Sequence, residues 1–183
     1  MPRLIHLNGP PAIGKSTIAR RYVNEHAGVL DLDIDVLRAL VGGSVHDFGG
    51  SGALIRPAAL AMLAAYLSNG HDVVLPQMIV RTDELERFHV AARDVGADVA
   101  HLMLLDDPDA AVQRFRRRAA AQVNGWGTQA AEVVDRDGGD SLLRRLYDDL
   151  EAIVRSRPDT VAIACPENAI DATYAAVRAA LGP

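Results

Sequence analysis

Apolar residues recur along this chain in two rhythms that take turns. Short apolar runs at Arg3 to Asn8, Val29 to Asp33, Asp72 to Pro76, Asp98 to Leu105 and Thr160 to Ala164 read as strands. Between them the apolar positions recur every three or four residues, which predicts helices. The first carries Ile18, Ala19, Tyr22 and Val23 and opens at about Gly14 to Ser16. Val36 to Val41 reads as a short helix. Ile55, Ala59, Met62 or Leu63, and Tyr66 mark another, with Pro57 near its first turn and Asn69-Gly70 as its stop. Leu85, Phe88, Ala92 and Val95 follow, ending at Gly96; Val112 and Phe115 lie behind an Asp106-Asp107-Pro108 cap. Leu142, Leu143, Leu146, Tyr147, Leu150 and Ile153 form the most periodic helix, and Ile170, Tyr174, Val177 and Leu181 the last. Two stretches break the rhythm. Gly42-Gly43 and Gly49-Gly50-Ser51-Gly52 bracket His46, Asp47 and Phe48, which reads as a flexible loop. Gly125, Gly127, Gly138 and Gly139 interrupt Val123 to Gly139.

Strands alternating with helices predict the α/β class, a parallel sheet covered on both faces. Right-handed crossovers then gather the turns that follow the strands at one edge. The carboxylates after the second strand, Gln77 and Arg81 after the third, and the cap after the fourth are expected to border one crevice there.

Composition narrows the picture. A chain of 183 residues, 49% hydrophobic and 23% charged, suits a single domain over 1–183 with a full core. A net charge of −5 argues against broad nonspecific nucleic-acid binding. The one cysteine, Cys165, allows no internal disulfide and fits a reducing compartment. The sequence opens on a strand without a signal-peptide pattern, and no apolar run approaches the roughly eighteen residues of a membrane span. A cytoplasmic soluble protein without a membrane partner is expected; oligomeric state has no signature.

The strongest chemical signal is Gly9-Pro10-Pro11-Ala12-Ile13-Gly14-Lys15-Ser16-Thr17, spaced as G-x-x-x-x-G-K-[ST], the Walker A phosphate loop. It stands where that loop must stand, after a strand and before a helix, so its N–H groups and the helix dipole point at phosphate. Lys15 is placed to bridge the outer phosphates, and Ser16 to hold Mg²⁺ through its hydroxyl. ATP or another nucleoside triphosphate, with Mg²⁺, is therefore expected. Asp31, Asp33 and Asp35 alternate with Leu32 and Ile34, which on an extended chain puts the three acids on one face. Asp35 or Asp33 suits the proton acceptor of a hydroxyl; a helix cap is the plainer reading of Asp35. Arg114, Arg116, Arg117 and Arg118 crowd one helix beside a glycine-punctuated segment, about 119–140, of lid length. Arg114 and Arg118, one turn apart, are expected to reach the transferring phosphoryl group; Arg116 and Arg117 read as surface. Trp126 would stack on a ring or anchor the lid. His6 reads as a sheet residue, and His46, His71, His89 and His101 lack metal-ligand spacing.

On the phosphate loop, Asp35-Val36-Leu37-Arg38, the strand Val73-Val74-Leu75, Leu104-Leu105-Asp106-Asp107-Pro108 and Arg114 to Arg118, the chain resembles the small P-loop kinases of the nucleoside-monophosphate-kinase type. It looks most like their chloramphenicol phosphotransferase, zeta-toxin and polynucleotide 5′-kinase branches. The resemblance implies a three-layer α/β/α sandwich, a five-stranded parallel sheet of order 2-3-1-4-5, and a helical lid. It also implies Asp35 as base, Arg38 as a substrate or phosphate contact, Asp33 orienting Mg²⁺ through water, and Cys165 to Asn168 near the adenine. Relatives often carry an acid at the end of strand three; here Gln77 can bind a ligand or water but cannot act as a base. The expected activity is ATP-dependent phosphoryl transfer to a small-molecule hydroxyl: an antibiotic, nucleoside, sugar or nucleotide-sugar. A polynucleotide 5′-hydroxyl is the second acceptor class, disfavoured by the acidic balance. An acceptor-free ATPase or regulatory module, with Leu102 to Asp106 as a Walker B strand, is the third reading.

Overall fold

The computed structural model describes residues 1–44, 47–121 and 125–182. His46, and residues 122–124 within the expected lid, lie outside the described residues, as does the Trp126 side chain. The elements in chain order are β1 (Arg3–Asn8), α1 (Lys15–Glu25), β2 (Leu30–Asp31), α2 (Ile34–Arg38), α3 (Phe48–Ser68), β3 (Val73–Leu75), α4 (Thr82–Asp94), β4 (Asp98–Leu105), α5 (Pro108–Ala120), α6 (Gly125–Arg136), α7 (Asp140–Ser156), β5 (Thr160–Ala164) and α8 (Ile170–Leu181). The five strands form one parallel sheet in the order β2-β3-β1-β4-β5.

Each strand sends alternate residues to opposite faces. On β1, Leu4 packs with Leu63, Leu75, Phe88 and Ile153 on the face covered by α3, α4 and α7. Ile5 and Leu7 pack with Ile18, Leu102, Tyr174 and Val177 on the face covered by α1 and α8. A third, smaller core joins α5, α6 and α7 through Val112, Phe115, Val134 and Leu143, with Ala12 of the phosphate loop packed against it.

Two expectations need correction. The second half of the glycine-bracketed stretch is not a loop: from Phe48 it is the opening of α3, a 21-residue helix, while 42–44 form a turn. Asp47 caps it, its carboxylate accepting the Gly50 N–H at 2.7 Å. The glycines there serve close approach: a Cβ on Gly50 would lie 2.0 Å from the Asp47 carboxylate, and one on Gly52 3.0 Å from Arg38 Nη2. Pro57 consequently sits inside the helix rather than in its first turn. By length and composition Gly49–Ser68 also meets the demands of a membrane span, because its leucines, isoleucine and alanines are offset by a single charge, Arg56. In the fold α3 buries Ala59, Leu63 and Leu67 in the sheet core. Secondly, the glycine-punctuated segment after α5 is mostly α6, stopped by Gly138 and Gly139, both at positive φ.

Candidate active site

The phosphate loop leaves β1 at Asn8, whose carboxamide ties it down. Asn8 Oδ1 accepts the N–H of Gly9 at 2.8 Å and of Ile79 at 3.1 Å, and Nδ2 donates to the Ile79 carbonyl at 2.9 Å. Gly9 has φ 145° and lies against β4, where a Cβ would stand 2.4 Å from the Leu104 carbonyl oxygen. Gly14, at φ 112°, is the N-cap of α1. These two positions require glycine, and the backbone they permit is open for an anion. Ile13 is buried, and its carbonyl accepts the Cys165 thiol at 3.1 Å. Pro10 and Pro11 line a small apolar recess with Phe115, Leu143 and Tyr147. Ser16 and Thr17 are exposed at the start of α1. Lys15 Nζ donates to the carbonyls of Gly9 and Pro10 at 2.8 and 2.9 Å. Burial lowers its pKa to about 8, although Asp35 and Asp33 act to raise it.

The acids after β2 do not all share one extended face. Strand pairing ends at Asp31, and α2 opens at Ile34. Asp33, not Asp35, is the cap: its carboxylate accepts the Asp35 N–H at 2.9 Å. Asp33 is buried, while Asp35 is half-exposed in the first turn of α2. Asp35 Oδ1 stands 3.2 Å from Nη2 of Arg38, itself buried. Burial nevertheless raises the Asp35 pKa, against the pull of Arg38, Lys15 and Arg56. Arg56 of α3 pairs with Glu84 of α4 at 2.5 Å. Asp31 is pushed up to about 6 by burial and by neighbouring Asp33.

Gln77, at the exit of β3, is buried, and its Oε1 has no hydrogen-bond partner among the described residues. Arg81 does not join this group. It precedes α4, is exposed, and forks onto Asp83 at 3.1 and 2.6 Å.

On the other flank, a cleft of about 370 Å³ is lined by Ala12, Gly14, Thr17, Arg114, Arg117, Arg118 and Glu167. Arg114 Nη1 donates to the Cys165 carbonyl at 3.1 Å and stands 4.0 Å from Asp106. Arg118 is close enough to Lys15 to lower its pKa. Arg116 instead ties α5 to Asp135 and Asp140. Arg117, read from sequence as surface, borders the cleft and pairs with Glu167. Glu167 falls in the turn after β5 that the resemblance places near the adenine. Asp107 caps α5, leaving the Asp106 carboxylate to face Arg114.

The site thus offers cations along a phosphate cradle, a cleft beside it, and a carboxylate held by arginine on the far side. The two glycine positions fit a polyphosphate tail. Ser16, with Asp33 acting through water, fits Mg²⁺, which keeps several waters and needs few protein ligands. No group of three His, Cys, Asp or Glu among the described residues forms a ready-made metal cage.

Sequence reasoning missed Arg56, Arg117 and one cluster. His6, His89 and His101 meet beneath Asn8, with ring centroids 4.9–5.4 Å apart. A signal existed: His6 and His101 both interrupt apolar strands, and His89 lies on the Leu85–Phe88–Ala92 face of its helix.

Residues 4–147 match the family described as AAA domain. No curated protein matches the sequence. Among solved structures, a gluconokinase from Sinorhizobium meliloti 1021 is similar at TM-score 0.66 and 17% identity, covering 98% of this chain and 91% of that one. The Deinococcus radiodurans tunicamycin resistance protein is similar at TM-score 0.63 and 20% identity, over 100% and 96% of the two chains. A chain of the Pnkp1/Rnl/Hen1 RNA repair complex is similar at TM-score 0.63 and 18% identity, over 86% of this chain and 46% of that one. These likenesses show a shared fold, the P-loop kinase fold.

Proposed function

The chain belongs to the AAA-domain family of nucleotide-binding P-loop proteins, and from that premise we propose that it is a cytoplasmic ATP- and Mg²⁺-dependent phosphotransferase acting on a small-molecule hydroxyl. One observation carries the reading: Asp35 lies across the phosphate loop from the cleft, electrostatically coupled to Lys15 and held by Arg38. A carboxylate there can also activate water, so the acceptor dependence of turnover decides between a transferase and an ATPase.

In this reading the γ-phosphoryl group moves to the acceptor oxygen, the bond to the β-phosphate oxygen breaks, and Asp35 takes the hydroxyl proton. Burial raises its pKa, which makes it a better proton acceptor than a solvated aspartate. Lys15 and the loop amides neutralise the outer phosphates, and Arg114 and Arg118 approach from α5. Mg²⁺, held by Ser16 and through water by Asp33, would supply further charge neutralisation. Arg38 and Gln77 orient the acceptor.

A polynucleotide 5′-hydroxyl acceptor is the second reading, favoured by the buried Arg38 three residues after Asp35. The test is ATP turnover measured alone, with a panel of antibiotics, nucleosides, sugars and nucleotide-sugars, and with 5′-hydroxyl oligonucleotides. Turnover that depends on the small molecules supports the proposal. Turnover that depends only on oligonucleotides selects the second reading, and acceptor-independent turnover defeats both.

A further inference from the structure

We propose that His6, His89 and His101 are positioning residues: neutral rings in fixed tautomers that lock the root of the phosphate loop to the exit of β3. All three are buried, at most 1% exposed. His6 and His101 are register partners on β1 and β4, and Thr160 on β5 continues the row.

The protons can be assigned from partners that have only one role. The Gln77 carbonyl can only accept, so His6 Nε2, 2.9 Å away, carries a proton and donates it. His6 Nδ1 is then bare and accepts from His89 Nε2 at 3.1 Å. On the other side, Asn8 Oδ1 accepts two backbone N–H groups, which fixes its amide orientation. Asn8 Nδ2 must therefore donate to His101 Nε2 at 3.3 Å, and His101 Nδ1 donates to Thr160 Oγ1 at 2.9 Å. Each ring has one proton and one bare nitrogen. Burial, reinforced by the neighbouring rings and Arg157, lowers all three pKa values to about 3, in keeping with neutral imidazoles.

The network ends where the site begins. Asn8 holds the amide of Gly9, the first residue of the cradle. Asn8 also grips Ile79 by both backbone groups, while His6 grips Gln77 two residues earlier. The distance from cradle to Gln77 is thus set by side-chain hydrogen bonds rather than by strand pairing, which stops at Leu75. A buried network whose protons are matched rigidifies what it holds. Among the described residues the rings' hydrogen bonds go to one another, Gln77, Asn8 and Thr160, so their effect on the cradle passes through Asn8 and Gln77.

The inference rests on the nucleotide reading of the site, and its test needs no acceptor. Long-range ¹H–¹⁵N spectra of the full chain at pH 7 should show His6 and His89 protonated at Nε2 and His101 at Nδ1. His6→Leu and His101→Leu should weaken Mg–ATP binding by about tenfold in calorimetry. His6→Gln, whose side-chain amide can still donate to the Gln77 carbonyl, should restore most of it. A core variant of equal thermal destabilisation, such as Leu63→Ala, should leave the affinity within about twofold. A different tautomer pattern overturns the proposal, even where a leucine variant does not fold. So do folded leucine variants with wild-type affinity, or a Leu63→Ala loss as large as theirs. A wild-type chain that takes up no Mg–ATP defeats the nucleotide reading together with this one, and is told apart because the wild type itself fails.

Discussion

On the α5 flank of the phosphate loop, Arg114 and Arg117 reach the cleft already engaged, the first by the Cys165 carbonyl and the second by Glu167. On the α2 flank the polar groups lie deeper and are matched less completely. Gln77 Oε1 and Asp31 Oδ1 are buried without a hydrogen-bond partner among the described residues, and Asp35 and Asp31 both have raised pKa values. An unmatched buried polar atom costs about 1–3 kcal/mol, a cost folding alone gives no reason to keep. The nucleotide flank is finished before its ligand arrives. The α2 flank holds polarity that a ligand would complete.

The largest effect is expected where the two flanks meet. Lys15→Ala should remove nucleotide-dependent turnover, by on the order of a thousandfold or more, and weaken Mg–ATP binding in calorimetry. Asp35→Asn separates the flanks: nucleotide affinity stays within about twofold while transfer falls by about 10²–10⁴. Wild-type transfer rates in that variant would reject Asp35 as the base. Next is Gly52→Ala. A methyl 3.0 Å from Arg38 Nη2 must push a buried guanidinium that holds Asp35. Alanine favours the helix by about 1 kcal/mol, so stability should hold or rise while the acceptor KM climbs about tenfold. An unchanged KM would show that Arg38 yields without consequence.

How far the sequence foretold these flanks depends on the range of the interactions. β1, β4 and β5, and α8 on the outer face, lie where periodicity put them, because their signals are local. The phosphate loop is equally local: Gly9 and Gly14 do what the motif requires of them. The α2 flank was misread at Gly50 and Gly52, where glycine signals flexibility in sequence but serves contact with Asp47 and Arg38 in the fold. The same bias hid α6 from the periodicity, although the resemblance implied a helical lid. Arg56 and the three histidines converge from distant segments, and no pattern within one segment could announce them. Asp33 rather than Asp35 is the cap because the strand stops two residues earlier than its alternation suggests.

Proton linkage sharpens the contrast. Lys15, depressed to about 8, is partly neutral in the free protein above that pH. Bound phosphates favour the ammonium form, so nucleotide binding should take up a proton between about pH 8 and 10 and weaken by more than about tenfold across that range. Calorimetry in buffers of different ionisation enthalpy reads the uptake directly; none at pH 9 would leave Lys15 charged throughout. Transfer should instead fail on the acid side, at a pH above that of an ordinary aspartate, because a protonated Asp35 accepts nothing.

The smallest effect concerns Asp31, at the tip of β2. Its pKa is raised from 3.8 to about 6, so between those values the folded chain binds more protons than the unfolded one. Its contribution is therefore favourable at low pH, is lost as pH rises through about 6, and leaves a half-buried carboxylate as a cost at pH 7. Asp31→Asn removes that charge. Discounted for partial exposure and for screening by solvent, the expected gain is about 1 kcal/mol at pH 7, with no gain near pH 4. Denaturant titrations at the two pH values measure it, and an equal gain at both would assign the effect to something other than the charge. If the stabilised variant also loses acceptor-dependent turnover, the acid is retained for the acceptor flank at the expense of stability, as functional sites commonly require. If turnover is unchanged, Asp31 belongs to the architecture of β2, and the incomplete matching of that flank narrows to Gln77 and Asp35.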